Sequence, residues 1–423
     1  MQRANWWKHA KIYELYIDKF AGTISGLTSK LDYFTHLGIN TLHVLPHYPS
    51  PMVDDGYDVT DYQNVRPELG TLDDFKKFLN EAHSRDIYVI VDFVLNHVSS
   101  EHPWFVEARA TRENPKRNFF LWSNTGQEFK NARNAFVDIK PSNWIKNELT
   151  EDYYYATFYP EQPDLNWDNP LVFEEMLQYA KFWVDLGVDG FRLDAVPFLI
   201  KRENSPSLGL PETHAILKKI RAQLDEKYSG RIALLGEAHQ ELRDMMQYFG
   251  DGDECHMLYH FPMMEQMLLA LMRNDDSAVR TMVQASSDIP PSCEWAVFVR
   301  NHDDISLTTL PDADRMELVD FLDPQHRYPF SNHTTTSMRL GSIFENHSSR
   351  VLEALELLYS VPGVKVLYYG DEIGMKNLPL QEGVRDSRVY VRGEFDWNSA
   401  NTMLADPDSL LNKVARCIKR SAA

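Results

Sequence analysis

The hydrophobic pattern of the chain alternates between short apolar runs, rich in β-branched residues, and longer segments of helical periodicity. Eight apolar runs predict β-strands: 11–17, 40–46, 87–97, 188–194, 231–237, 255–261, 295–301 and 364–370. Helical patterns lie near 27–37, 71–85, 170–186, 211–228, 240–249, 262–273, 350–360 and 407–420. Strands that alternate with helices indicate an α/β fold with a parallel sheet, and the count favours a closed (β/α)8 TIM barrel. An open doubly wound sheet is the alternative, but no glycine-rich phosphate loop follows the first strand to support it.

Two connections between the predicted strands are longer than plain loops. The first, 98–167, is rich in aromatic, Asn and Pro residues and predicts an inserted subdomain B after the third strand. The second, 304–349, holds many charged, His and Ser residues and predicts a lid within the barrel domain. The catalytic barrel would then comprise 1–97 and 168–423, and we expect no C-terminal β-sandwich in this sequence. Both insertions would leave the barrel at the carboxyl ends of its strands, where barrel enzymes place their active sites.

The composition indicates a folded enzyme with a large core. Hydrophobic residues make up 43% of the 423 residues and aromatic residues 12%. A formal net charge of -19 repels phosphate backbones and anionic lipids, so it argues against nucleic acid and membrane partners. The sequence has no signal-peptide pattern and no apolar run of about 20 residues. Its three widely spaced cysteines, Cys255, Cys293 and Cys417, argue against a disulfide framework and predict a cytoplasmic location.

Charged and polar residues end four of the predicted strands, although a hydrophobic core has no use for them. Arg192 and Asp194 are two residues apart, so they point to the same side of the fourth strand. Glu237 ends the fifth strand after an apolar run. The clusters on the third and seventh strands are Asp92 with Asn96 and His97, and Asn301 with His302 and Asp303. One such residue alone is more often a cap or a structural ion pair, but in a barrel all four clusters meet in one pocket.

Three carboxylates, an arginine and two histidines in one pocket fit glycoside hydrolysis. A retaining mechanism needs an ionised carboxylate as nucleophile and a protonated carboxyl group as acid, roughly 5–5.5 Å apart. We expect Arg192 to keep Asp194 ionised by direct charge pairing. Desolvation would raise the pKa of Glu237, so that it holds a proton near neutral pH. His97 and His302 would donate hydrogen bonds to sugar hydroxyls.

Four segments, in chain order, resemble the signature regions of the α-amylase family, glycoside hydrolase family 13. They are DFVLNH (92–97), GFRLDA (190–195), the segment around Glu237 and RNHD (300–303), and two further family motifs resemble QPDLNW (162–167) and GYDVTDY (56–62). The resemblance implies that Asp194 is the nucleophile, Glu237 the acid/base and Asp303 the carboxylate that stabilises an oxocarbenium-like transition state. It also implies four substrate-binding residues: Tyr57, as a platform beneath the reacting sugar, His97, Arg192 and His302.

Longer stretches are similar to the trehalose synthases of this family, whereas the segment 385–397 is similar to the corresponding part of amylosucrases. The resemblance implies a retaining glycosidase or transglucosylase of small α-glucosides of the maltose, trehalose or sucrose type. It further implies that Asp58 pairs with an arginine, Arg392 as first choice and Arg388 as second, and thereby closes the pocket. An α-amylase that cleaves inside α-1,4-glucans is the alternative, and it would need an open cleft. An inactive sugar-binding or scaffold protein and a magnesium-dependent barrel are alternatives that the complete carboxylate set and Arg192 disfavour.

A calcium site found in relatives is implied by the resemblance but disfavoured by this sequence. Its ligands match two side chains and two backbone carbonyls: Asn96, Asp164, Phe198 and Leu199. Lys201 stands at the position of a further, acidic ligand. Calcium needs oxygen ligands and negative charge, whereas a lysine can take the cation's place and donate hydrogen bonds to the same oxygens. We therefore expect an enzyme without a metal or other cofactor, and the sequence leaves the oligomeric state open.

Overall fold

A closed barrel of eight parallel strands forms the centre of the protein. The computed structural model describes residues 5–331, 333–345 and 347–421. The barrel strands β1 to β8 are Lys11–Leu15, Thr41–Val44, Tyr88–Val94, Gly190–Asp194, Ala233–Gly236, Met257–Tyr259, Glu294–Val297 and Val364–Tyr368. Each strand overlaps one of the eight predicted runs, so the predicted (β/α)8 barrel is confirmed.

Every barrel strand pairs in parallel with the next one along the chain, and β8 closes the barrel against β1. Parallel neighbours require each connection to return to the start of the next strand, which helices accomplish in this type of fold. The register of β3 and β4 places Asp92 opposite Arg192 and Val94 opposite Asp194. The polar ends of these two strands therefore lie side by side, as the sequence pattern predicts.

The helices follow the predicted amphipathic segments closely, and several short ones were not predicted. Within the described residues the α-helices are Ile17–Ala21, Ile24–Ser29, Leu31–Leu37, Leu72–His83, Pro103–Ala110, Pro170–Leu186, Pro211–Tyr228, Leu242–Met246, Phe261–Arg273, Ser277–Ala285, Asp312–Leu322, Leu340–Ile343, Ser348–Ser360, Trp397–Ala405 and Leu410–Arg420. Local signals explain where they begin. At Thr71, for example, the side chain accepts a hydrogen bond from the Asp74 backbone N–H, and the Thr71 backbone N–H donates to the Asp74 side chain. This capping box satisfies N–H groups that the helix itself cannot pair.

The segment 98–167 carries a small sheet of its own. Its three antiparallel strands are Trp122–Ser123, Trp144–Asn147 and, between them, Asp152–Tyr155. A single bridge from His97 to Asp164 joins the two ends of the segment, and a second from Phe120 to Leu165 connects its interior to its end. The segment therefore leaves the barrel after β3 and returns to the same edge.

The segment 304–349 contains the helix Asp312–Leu322 and a two-stranded antiparallel pair, Pro329–Phe330 with Thr335–Thr336. A bridge from Ile305 to Thr336 ties that pair to the residues just after Asp303. The start of the segment is thus held next to the carboxyl end of the barrel.

Three further properties of the described part of the chain concern membranes, thiols and metals. None of the helices described there is long and apolar enough to cross a membrane. The three cysteines are unpaired: Cys255, Cys293 and Cys417. Among the same described residues, no three His, Cys, Asp or Glu side chains are grouped so that they could hold a metal ion.

Candidate active site

A cavity of about 170 Å³ lies at the carboxyl ends of the barrel strands. Its walls contain five of the predicted site residues: Tyr57, His97, Asp194, Glu237 and Asp303. Arg388, the second choice for the pair with Asp58, lines it as well. Three further predicted residues contact the lining residues from behind: Arg192, His302 and Arg392. The structure therefore brings residues predicted from four barrel strands together in one cavity.

Arg192 is the centre of the carboxylate cluster. Its Nη1 atom donates to Asp92 Oδ1 at 2.8 Å and to Asp194 Oδ1 at 2.5 Å. Its Nη2 atom lies 2.6 Å from Glu237 Oε1. The guanidinium is fully buried and always charged, so one cation holds both reacting carboxyl groups. Glu237 Oε2 also accepts the backbone N–H of Ala195 at 3.1 Å, which fixes its orientation.

Several charged groups besides Arg192 influence the pKa of Asp194. Burial raises the pKa of Asp194, and the carboxyl groups of Glu237, Asp92 and Asp303 raise it further. Arg192 lowers this pKa but does not outweigh those effects, so the pKa of Asp194 lies well above its usual range. The predicted charge pair of Arg192 with Asp194 is present, and the ionised state of Asp194 stays a prediction. Arg192 divides its charge among three carboxyl groups, which limits its effect on any one of them.

Asp303 has the opposite environment. Its Oδ1 atom accepts hydrogen bonds from Arg388 Nη1 at 3.0 Å and from Arg392 Nη2 at 2.9 Å. His302 Nε2 lies 3.2 Å from Asp303 Oδ2. Although burial raises the pKa of Asp303, His302 and the two arginines lower it more, and it lies well below its ordinary value. The predicted stabilising carboxylate is thus held in its charged form.

His302 and Tyr57 form a stacked pair beside this cluster, with ring centroids 5.5 Å apart and planes 12° from parallel. The Tyr57 hydroxyl lies 2.6 Å from His302 Nε2 and donates to Asp92 Oδ2 at 3.1 Å. Tyr57 lines the cavity, where the predicted platform for a sugar would be. Its hydroxyl, however, belongs to the polar network behind the cavity.

His97 presents a buried polar atom to the cavity. Burial lowers the pKa of His97 to about 4, so the ring is neutral near neutral pH. The Asn96 side-chain amide lies 3.4 Å from His97 Nδ1. The other ring nitrogen, His97 Nε2, is buried without a hydrogen-bond partner among residues 5–331, 333–345 and 347–421. A buried polar atom of this kind costs free energy unless a ligand or water pairs with it, which fits the predicted contact to a sugar hydroxyl.

The predicted pair of Asp58 with Arg392 is wrong. The Asp58 carboxylate instead accepts the backbone N–H groups of Val53, at 3.0 Å, and Asp54, at 3.1 Å, so it shapes the turn that contains them. Arg392 Nη1 pairs with Asp55 Oδ2 at 2.6 Å. The turn thus offers Asp54 and Asp55 to the arginines as acidic partners, and Asp58 supports the turn from within.

Arg388, the second choice for that pairing, lines the cavity and bridges three acidic residues. It donates to Asp54 Oδ1 at 2.8 Å, Asp303 Oδ1 at 3.0 Å and Asp386 Oδ2 at 2.6 Å. Tyr159, in the inserted segment, donates its hydroxyl hydrogen to Asp386 at 2.5 Å. One wall of the cavity therefore consists of charge pairs between three distant parts of the chain.

We expect Arg388→Ala to lower kcat/KM by about 10- to 100-fold, because Asp303 loses a charge-assisted donor and Asp54 loses its arginine partner. Steady-state kinetics on a small α-glucoside measures the effect. Arg202→Ala is the matched control, since Arg202 pairs with two acidic residues at the exposed surface. Equal kinetics for the two variants would exclude Arg388 from the site.

Several cavity residues were missed by the sequence analysis. They come from the inserted segment, from the segment after β7 and from the ends of other strands: Arg133, Phe136, Phe158, Phe198, His239, Phe261, Asp304 and Ser306. Burial raises the pKa of Asp304 to about 6, even though Thr335 donates to it. A carboxyl group next to the Asp303 motif was a usable signal, whereas the aromatic residues of the insertion follow no pattern that points to the site.

Lys201 lies where the resemblance places a cation. Its amine donates to Asn96 Oδ1 at 3.0 Å and to the Phe198 carbonyl at 2.5 Å, and it pairs with Asp164 Oδ2 at 2.5 Å. Lys201 and Asp164 are both buried. The oxygens available for calcium are therefore already bonded to an ammonium, and these residues do not fit a calcium ion.

A closed parallel barrel with acidic residues, a shared arginine and a small cavity at its carboxyl end defines a barrel enzyme of glycoside chemistry. The chain belongs to the α-amylase family, whose model "Alpha amylase, catalytic domain" matches residues 5–407.

Individual members of the family and solved structures are similar to this chain. The trehalose synthase/amylase TreS of Mycolicibacterium smegmatis is 42% identical over 406 residues, which cover 93% of this chain and 67% of that protein. The trehalose synthase of Pimelobacter sp. is 40% identical over 409 residues, 91% of this chain and 70% of that protein. The solved isomaltulose synthase PalI of Klebsiella sp. LX3 has a TM-score of 0.77 at 24% identity, with 98% of this chain and 84% of that chain covered. At this level of identity, the similarity to the isomaltulose synthase structure shows the fold alone.

Proposed function

We propose that this protein cleaves small α-glucosides with retention and transfers the glucosyl unit to water or to a second sugar. The similarity to proteins named trehalose synthase supports the proposal. The observation that carries the proposal is the shared contact of Arg192 with Asp194 and Glu237 at the floor of a small cavity. This contact keeps a nucleophile and an acid next to each other, which a retaining mechanism requires.

In the first step Asp194 attacks the anomeric carbon, and the bond from that carbon to the glycosidic oxygen breaks. Glu237 gives its proton to the departing oxygen, and a glucosyl ester of Asp194 remains. This step requires an ionised Asp194 and a proton on Glu237, and Arg192 contacts both carboxyl groups. In the second step Glu237 accepts a proton from the acceptor hydroxyl, which attacks the anomeric carbon and releases Asp194.

The wall built by Arg388 and Arg392 supports action on terminal glucosyl units. Both arginines bond to Asp303 and to the turn that contains Asp54 and Asp55. The cavity of about 170 Å³ is small compared with ordinary ligand pockets of about 300–1,000 Å³. A long α-1,4-glucan would have to pass through this wall, so the alternative of an endo-acting α-amylase is disfavoured.

Product analysis tests the proposal. The protein is incubated separately with maltose, trehalose and sucrose, and every sugar product is identified by chromatography. Trehalose from maltose would establish isomerisation, glucose alone would establish hydrolysis, and either result supports the proposal. Release of maltose and longer oligosaccharides from starch with no action on disaccharides would favour the α-amylase alternative. No turnover of any α-glucoside would favour a sugar-binding protein.

We further propose that the activity is independent of metal ions, because the Lys201 amine occupies the oxygens that would bind calcium. Excess chelator should leave the initial rate and the melting temperature unchanged. Lys201→Met should lower the melting temperature, since it leaves Asp164 as a buried carboxylate without its charged partner. Loss of activity in chelator that calcium restores would contradict the proposal.

We propose a reducing, cytoplasmic setting for this activity. Cys255 and Cys293 are buried and unpaired, and burial raises the pKa of both thiols. Unpaired cysteines are common where cellular reductants keep thiols reduced. Fractionation of the native host cell, followed by detection of the protein, would test the location.

A further inference from the structure

A histidine lies inside the barrel between two acidic residues, beneath the catalytic cluster. His43 on β2 is in register with Glu14 on β1, and Asp92 on β3 lies two residues beyond Ile90, the register partner of His43. His43, Glu14 and Asp92 are all completely buried. His43 Nδ1 is 3.2 Å from Glu14 Oε2, and His43 Nε2 is 3.1 Å from Asp92 Oδ2. Both ring nitrogens therefore face carboxylate oxygens.

This arrangement matches an imidazolium better than a neutral ring. A neutral imidazole has one N–H group, so its other nitrogen would point a lone pair at a carboxylate, whereas an imidazolium donates from both nitrogens. Burial lowers the pKa of His43, but hydrogen bonds and charges from Asp92 and Glu14 outweigh it and raise the pKa above its ordinary value. The other group that faces His43 is the Tyr259 hydroxyl on β6, 3.1 Å from Nδ1, which donates to Glu14 at 2.8 Å.

The two acidic residues that His43 joins hold the floor of the active site. Glu14 Oε1 accepts the backbone N–H of His302 at 2.9 Å and its Nδ1–H at 3.0 Å. Asp92 accepts hydrogen bonds from Arg192 at 2.8 Å and from the Tyr57 hydroxyl at 3.1 Å. An interior chain of charges thus runs from β1 through β2 and β3 to the arginine that contacts the reacting carboxyl groups.

We propose that His43 is a positioning residue, an imidazolium that holds Glu14 and Asp92 in the orientation that His302 and Arg192 require. The positioning role rests on the proposed function, whereas the charge on His43 does not. In the structure His43 touches neither the nucleophile nor the acid, so it acts through its neighbours. Without its charge, Asp92 would keep Arg192 as its charged partner and Glu14 would keep His302 and the Tyr259 hydroxyl, so one of the two buried carboxylates would take up a proton or turn away.

The protonation state of His43 can be measured independently of any activity. In the full chain labelled with ¹⁵N-histidine, the ring signals of His43 are identified as those missing from the His43→Gln spectrum. We expect both ring nitrogens to carry protons at neutral pH, where an ordinary histidine is mostly neutral. A ring with one unprotonated nitrogen at neutral pH, as expected if Tyr259 donates to Nδ1 instead, would overturn the proposal.

Kinetics then test the positioning role. His43→Gln keeps a donor and an acceptor but removes the charge, and we expect kcat on an aryl α-glucoside to fall about 10- to 100-fold with little change in KM and a shifted pH profile. Adding Glu14→Gln to this variant removes both partners of one charge pair, so the double variant should lose less than the two single losses combined. His83→Gln is the matched control, because His83 pairs with Asp189 at 2.8 Å on a half-exposed helix end.

The outcomes test the charge on His43 and its positioning role separately. A wild-type kcat and pH profile for His43→Gln would overturn the positioning role, and so would fully additive losses in the double variant. Circular dichroism of each variant excludes misfolding as the cause of a loss. If the wild-type protein turns over no α-glucoside, the proposed function and the positioning role fail together, while the nitrogen signals still decide the charge on His43.

Discussion

Asp194→Asn should lower kcat by several orders of magnitude and leave the fold intact, because an amide cannot form the glucosyl ester on which the mechanism depends. The substitution preserves the side-chain shape and leaves an oxygen to accept the Arg192 hydrogen bond. The rate of disaccharide turnover and the melting temperature are the measurements. Rapid quenching of the wild-type reaction followed by mass spectrometry should also find a glucosyl group on the peptide that contains Asp194.

The matched control for this variant is Asp168→Asn. Asp168 is likewise paired with an arginine, Arg202 at 2.7 Å, but at the exposed surface away from the cavity. Its turnover should equal that of the wild type. Near-normal turnover of Asp194→Asn would rule out the covalent mechanism, whatever the control shows.

Glu237→Gln should be almost inactive on maltose but much less impaired on an α-glucoside with an acidic phenol as leaving group. The amide cannot donate the proton that a sugar oxygen needs to depart, whereas a good phenolate leaves without it. The amide oxygen can still accept the Ala195 N–H, so the orientation of the side chain is retained. The ratio of kcat/KM between the two substrates, for variant and wild type, measures the effect.

Glu241→Gln is a suitable control, since Glu241 lies four residues after Glu237 in the sequence and is exposed. It should leave the substrate ratio unchanged. If Glu237→Gln impairs both substrates by the same factor, Glu237 has a role other than that of the acid, and the assignment fails.

Sequence reasoning predicted the barrel because strand and helix patterns are local, and it predicted the reacting residues because parallel strands bring their ends together. Asp194, Glu237 and Asp303 lie in one cavity for that reason. The partners of Arg388 and Arg392 could not be predicted in the same way. The turn 53–58 offers three aspartates, and only its folded conformation turns Asp58 inward to the backbone and leaves Asp54 and Asp55 to the arginines.

The raised pKa of Asp194 could not be predicted from the sequence for a related reason. Its spacing from Arg192 shows that the two share a side of a strand, but it does not show that Arg192 also bonds to Asp92 and Glu237. A pKa depends on burial and on all neighbouring charges, which are properties of the packed structure. The inserted segment contributes two aromatic residues to the cavity, Phe136 and Phe158. They were not predicted, because no periodic pattern in the sequence points to them.

The arginine wall of the cavity has a consequence for how the protein is made. Arg388 follows its partner Asp54 by 334 positions, and Arg392 follows Asp55 by 337. Synthesis on the ribosome proceeds from the N-terminus, so the acidic side of this wall emerges long before its counter-charges. Until the segment 388–392 is translated, the nascent barrel carries Asp54, Asp55 and Asp303 without the two arginines that join them. A chain released before Arg388 would therefore have all eight barrel strands but no finished binding site, and glucosyl transfer would have to wait for synthesis to pass Arg392.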